Sequence, residues 1–190
     1  MKKLPDFKIQ SNGEISSAFL DREIHTFHKA TEFIEHLTYG RNSNKDDLKT
    51  LFTDNKGTCS TKHAVLKRLT DEHNFTDIKL MLGIFKMNAE NLPVVVHTLS
   101  GHHLKYLPEA HNYLKYKGQI FDFTKPHFLP QDFAKDILYE VEIKPNEINQ
   151  HKINIHKQFI KTWLQENKQI NFSLEEIWKI REQCIEDLSM

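Results

Sequence analysis

Cysteine is almost missing from this sequence: its 190 residues include only Cys59 and Cys184. Two thiols are too few for the disulfide framework of a small secreted domain, so both are expected to be free, in a reducing compartment. An excess of charge is missing as well, with 26 basic and 26 acidic side chains. No overall field therefore draws nucleic acid or an anionic membrane. No apolar run approaches the roughly 20 residues that cross a bilayer, and the opening Met1-Lys2-Lys3-Leu4-Pro5-Asp6 has no signal-like apolar stretch. These absences predict a cytoplasmic protein with neither membrane nor nucleic acid as partner. Neither CxxC nor HExxH occurs, which removes the usual signatures of a zinc site. Repeats, low-complexity tracts and linkers are absent too, and the length fits one domain over 1–190 with a sizeable core.

Histidine, by contrast, is abundant: twelve residues make charge sensitive to pH in the neutral range. Ile24, Phe27, Ala30, Ile34 and Leu37 recur at helical intervals, predicting a helix from Arg22 to Leu37 that Gly40 closes. A short helix is expected from Lys45 to Phe52, broken by Asn55-Lys56-Gly57. Thr58 then caps a helix from Cys59 to Asp71 whose Ala64, Val65, Leu66 and Leu69 face inward. Ile78, Leu80, Leu82 and Ile84 alternate as a central strand that runs on to Met87. From Asn88 to Tyr106, with Pro93, Gly101 and the pair His102-His103, no period is visible and a long functional loop is expected. HNYLKY and QIFDFT, joined by Lys117-Gly118, read as a hairpin. Pro126 and Pro130 mark an exit loop, Ile137–Ile143 a further strand, and about 146–190 a helical C-terminal part. In that part Ser173 and Glu176 form a capping box, and Cys184 falls on an apolar face as a packing residue.

Cys59 is different. Its neighbours Gly57, Thr58, Ser60 and Thr61 are small or hydroxylated, which predicts exposure at the mouth of the helix. Unpaired N–H groups and the dipole at a helix N-terminus lower a thiol's pKa, and a nearby imidazolium lowers it further. The hairpin supplies that base. With Lys117-Gly118 as a two-residue turn, Tyr116 faces Gln119, Tyr113 faces Asp122 and His111 faces Thr124. Alternation then puts His111, Tyr113 and Lys115 on one face with Ile120, Asp122 and Thr124, and Leu114, Tyr116, Phe121 and Phe123 on the other. His111 and Asp122 become diagonal neighbours about 7–8 Å apart at the backbone, which side chains can bridge. Asp122 would orient His111, His111 would deprotonate Cys59 and later protonate a leaving group, and the Cys59 N–H would serve as an oxyanion donor.

G-T-C opening a helix, E-A-H on one strand and F-D-F-T on the next resemble the transglutaminase-like superfamily of papain-fold cysteine enzymes. The resemblance covers about Asn55 to Lys125. It implies an α+β fold with the cysteine helix packed on an antiparallel sheet, and a triad of Cys59, His111 and Asp122. It implies amide or peptide substrates, protein glutamine side chains among them, handled through a thioester on Cys59 without a cofactor. The chain departs from the family where an aromatic residue often follows the cysteine and tryptophan the histidine; Ser60 and Asn112 stand there. The interval between histidine and aspartate is also shorter. A second oxyanion donor is sought in Tyr39-Gly40-Arg41-Asn42.

Two other classes compete. Cys59 and His63 share a helical face, and with His97, His102, His103 and His111 could form a tetrahedral metal set; as a simpler reading, His63 lies on the helix surface. A non-catalytic interaction domain of the same fold could use the basic stretch His151–Lys168, in which Ile155, Phe159 and Trp163 are interleaved. Reactivity of Cys59 separates the enzyme from the scaffold.

Overall fold

In the computed structural model, which describes residues 3–126 and 129–188, the alternating run after Ile78 forms the middle of an antiparallel sheet. Before it come α1 (Glu14–Leu20), α2 (Phe27–His36), β1 (Thr38–Tyr39), α3 (Thr50–Thr53), β2 (Lys56–Gly57) and α4 (Cys59–Glu72). The sheet takes β3 (Lys79–Met87), β4 (Leu107–Tyr116), β5 (Gln119–Phe121) and β6 (Ile137–Ile143) in the order β5-β4-β3-β6. Connections hold α5 (Val96–Gly101) and α6 (Pro130–Ala134), and α7 (Gln150–Glu166) and α8 (Leu174–Asp187) follow β6. The fold is thus α+β. Among the described residues no helix is long and apolar enough to cross a membrane.

Period-two alternation divides the core into two layers. Leu80, Leu82 and Ile84 of β3, with Ala110 and Leu114 of β4, pack against α4 and the N-terminal helices. Met81, Phe85 and Met87, with Leu107 and Tyr113, face the layer that holds Ile160, Trp163, Ile177, Ile180 and Cys184. Leu82 is fully buried, so Leu82→Ala should remove about 2–5 kcal/mol of stability.

The hairpin turn forms as its residues dictate: Lys117 and Gly118 have φ of 49° and 81°. Positive φ at both centres is the two-residue turn that matches strand twist. Pairs Tyr116↔Gln119, Lys115↔Ile120 and Leu114↔Phe121 follow, and Leu114, Tyr116, Phe121 and Phe123 fall in one layer while Tyr113 and Ile120 fall in the other. Pairing stops at Phe121, however, so β5 is shorter than the expected QIFDFT. Past that pairing, Asn112 of β4 meets the first turn of α4 through Ser60.

Other elements also differ from the sequence pattern. The helix expected from Arg22 begins at Phe27, because Glu23 turns the chain with φ of 59° and Thr26 caps the new start. The short helix contracts to Thr50–Thr53. The expected loop over Asn88–Tyr106 contains a 3-10 turn at Pro93–Val95 leading into α5, since Val95 and Leu99 are both drawn into the second layer.

α7 and α8 are tied to β4 by polar contacts. Arg181 Nε and Nη2 donate to Glu109 at 2.8 and 2.6 Å, and His156 Nε2 donates to the Pro108 carbonyl at 2.8 Å. The helical C-terminal part therefore forms one wall of the cysteine cleft.

Candidate active site

The first turn of α4 carries the site. Thr58 has extended backbone at the N-cap, its N–H donates to Thr61 Oγ1 at 3.0 Å, and Cys59 is the first helical residue. The expected exposure is not found: Cys59 is only 7% exposed, and Gly57, Thr58, Ser60 and Thr61 are buried with it. The small residues serve close approach instead. A Cβ at Gly57 would stand 2.9 Å from Thr61 Oγ1 and 3.0 Å from Leu51, and Ser60 Oγ donates across to Asn112 Oδ1 at 3.0 Å.

The next residues of the helix fasten the end of the hairpin. Lys62 Nζ donates to the carbonyls of Leu37 and Thr124 at 2.6 and 2.7 Å, and more weakly to that of Glu35. His63, predicted on the helix surface, is completely buried. Its Nδ1 donates to the Cys59 carbonyl at 2.8 Å and its Nε2 accepts the Phe123 N–H at 2.8 Å. That pairing fixes a neutral ring, and burial pushes its pKa down to about 4. Lys62 and His63 thus hold residues 123 and 124 beside the helix, and Asp122 is positioned by both.

The structure brings His111 and Asp122 together in the predicted way. His111 Nε2 lies 2.5 Å from Asp122 Oδ2, and Asp122 Oδ1 accepts the Thr124 N–H at 2.8 Å. Nδ1 of His111 is left for Cys59, with which the ring is hydrogen-bonded, and the Asn112 N–H also turns to the sulfur. Burial raises the Cys59 thiol, but Lys152 and His111 outweigh it and pull the pKa down to about 6. Burial lowers His111, and the charges of Asp122 and Cys59 reverse this to about 10. Between these values the pair exists as thiolate and imidazolium.

Lys152 is not among the site residues expected from the sequence. It is 9% exposed, and its Nζ donates to Asn112 Oδ1 at 2.8 Å and Ser60 Oγ at 2.9 Å, 3.9 Å from Cys59 Sγ. Ser60 and Asn112, where the chain departs from the transglutaminase-like pattern, are the two residues that hold this ammonium. Burial lowers its pKa, while Cys59 and then Glu109 support its charge. A signal existed: Lys152 and His156 lie on the same buried stripe of α7 as Ile160 and Trp163.

Two cavities meet at Cys59. One, of about 300 Å³, runs along Tyr39, Arg41, Lys45, Thr58, Lys152, Trp178 and Arg181. The other, of about 190 Å³, is lined by Phe85, Leu92, His111, Thr124, Ile185 and Leu188. Of the segment 39–42, Tyr39 borders both cavities, and burial, then the charges of Cys59 and Glu109, keep its phenol protonated. Asn42 Nδ2 instead donates to the Lys56 carbonyl.

The residues considered for a metal do not converge. Both nitrogens of His63 are engaged within the protein, and His102 and His103 line a separate cavity with Trp163 and Phe172. Among the described residues no three His, Cys, Asp or Glu side chains stand where one ion could be shared. Compared with known proteins, the chain matches no family model, no curated protein and no solved structure.

Proposed function

We propose that this protein is a cysteine-dependent amide hydrolase or acyltransferase of transglutaminase-like, papain-like kind, working through a thioester on Cys59. The observation that carries the reading is the buried chain from Asp122 through His111 to the sulfur, at a helix N-terminus open to two cavities.

The Cys59 thiolate attacks the amide carbonyl carbon while His111 holds the proton on Nδ1. The carbonyl π electrons move to oxygen, and the Cys59 N–H, the Lys152 ammonium and the Tyr39 phenol are the donors available to that oxyanion. Collapse reforms the carbonyl and breaks the C–N bond as His111 gives its proton to the departing amine. A water or a second amine then attacks the thioester, losing its proton to His111, and Cys59 leaves as thiolate. Asp122 holds the ring in one orientation and balances the imidazolium throughout.

The test uses an electrophilic glutamine or peptide-amide analogue and intact-mass measurement. A stoichiometric adduct on Cys59, lost in Cys59→Ala and slowed in His111→Ala, is expected. Adduct formation on Cys184 alone, or none faster than on free glutathione, would defeat the reading and favour a scaffold role.

A further inference from the structure

The larger cavity has an uneven charge pattern. Arg41 pairs with Glu182, and Arg181 pairs with Glu109 and Glu182. His156 donates to the Pro108 carbonyl, and burial lowers its pKa, so it adds no charge. His111 is balanced by Asp122, and Lys152 faces the Cys59 thiolate. Lys45 remains. It lines the same cavity, is half-buried, and has no hydrogen bond or ion pair with any described residue. Its charge acts on both Cys59 and Lys152.

A second group in this cavity also lacks a partner. Thr58 is 8% exposed, and its Oγ1 makes no hydrogen bond with any described residue, although it lies at the N-cap next to the nucleophile. A buried hydroxyl left unpaired is unfavourable, so a ligand oxygen that accepts from it is favoured there. One uncompensated cation and one unpaired hydroxyl in a single cavity call for an anionic oxygen ligand.

The direction of the reaction decides which part of the substrate enters. His111 must reach the departing nitrogen, and His111 lines the smaller cavity but not the larger one. The leaving amine therefore lies toward Phe85, Leu92 and Leu188, and the acyl chain toward Lys45. Resting on the thioester reading above, we propose that the larger cavity binds a carboxylate on the acyl part of the substrate, with Lys45 as its ion-pair partner and Thr58 Oγ1 as its hydrogen-bond donor. The substrate class is an amide of an acidic acyl group.

Two alkylating reagents that differ in charge test this without a known substrate. Rates of iodoacetate and iodoacetamide at Cys59 are measured by peptide mass, and their ratio is compared with that for glutathione. A ratio about tenfold above the glutathione value is expected, as one partly buried ion pair supplies. Lys45→Gln should abolish most of that preference, and Lys45→Arg should retain it. A wild-type ratio equal to that of glutathione, or a preference unchanged in Lys45→Gln, overturns the assignment. Failure of both reagents to react faster than with glutathione would instead defeat the nucleophile. The subsite is then decided in Cys59→Ala by calorimetry: glutarate should bind, its neutral diamide should not, and Lys45→Gln should remove glutarate binding. Equal behaviour of the two ligands, or glutarate binding that survives Lys45→Gln, overturns the proposal independently of catalysis.

Discussion

Cys59 and Cys184 are both buried, at 7% and 0% exposure, and each lies on a 14-residue helix, yet their thiols move in opposite directions. Burial raises Cys184, Asp187 and Glu109 add to the rise, and the pKa reaches about 12. Burial raises Cys59 too, but Lys152 and His111 reverse the effect, and it falls to about 6. Low dielectric makes an unpaired charge costly and a paired charge strong. Burial therefore does not decide whether a cysteine is inert; the sign of its neighbours does.

The largest expected difference is in alkylation at neutral pH. Cys59 should react on the order of 10⁴-fold faster than Cys184, since the thiolate is the reactive form. Comparable rates by peptide mass would erase the contrast. Next is Asp122→Asn, which is nearly isosteric and should keep the fold by circular dichroism while slowing adduct formation about 10³-fold through loss of the counter-charge and the correct tautomer. A rate within a factor of two of wild type would show that Asp122 is only structural.

A stability test concerns the wall that carries Lys152. Glu109→Gln leaves the largely buried Arg181 guanidinium with Glu182 as its remaining carboxylate, and should lower unfolding free energy by about 2 kcal/mol in a denaturant titration. An unchanged midpoint would mean that α8 does not depend on this pair. The smallest effect sharpens the contrast itself. Lys152→Met should raise the pH midpoint of Cys59 alkylation by about one unit, equivalent to about 1.4 kcal/mol. His111→Ala should also raise it, and the double variant further still. A midpoint insensitive to Lys152→Met would leave His111 as sole partner of the thiolate.

The sign of the pH dependence follows from the same two groups. The Cys59 pKa is depressed on folding, so its stabilising contribution is present above the ordinary thiol value and lost as pH falls through about 6. The His111 pKa is raised, so its contribution is full below the ordinary imidazole value and lost as pH rises through about 10.

Local rules carried much of this site. Alternation in β3 and the Lys117-Gly118 turn together fixed which faces of the hairpin look inward, and with them the meeting of His111 and Asp122. Thr58 as an N-cap placed Cys59 in the first turn. What escaped was long-range in the chain. Lys152 lies 93 positions from Cys59, and nothing local says that α7 folds back over the cysteine helix. His63 looked like a surface residue because its two partners, Cys59 O and Phe123 N, are backbone atoms that no side-chain pattern reveals. Cys59 is buried and not exposed for a related reason: small hydroxylated neighbours suit close packing against a strand as well as they suit solvent.

The most direct test of the central claim is the rate of iodoacetamide alkylation at Cys59 as a function of pH in the wild-type protein, read by peptide mass. A rise with its midpoint near pH 6 is expected, with the thiolate held by Lys152 and His111. A midpoint near the ordinary thiol value of about 8.5 would contradict an activated nucleophile.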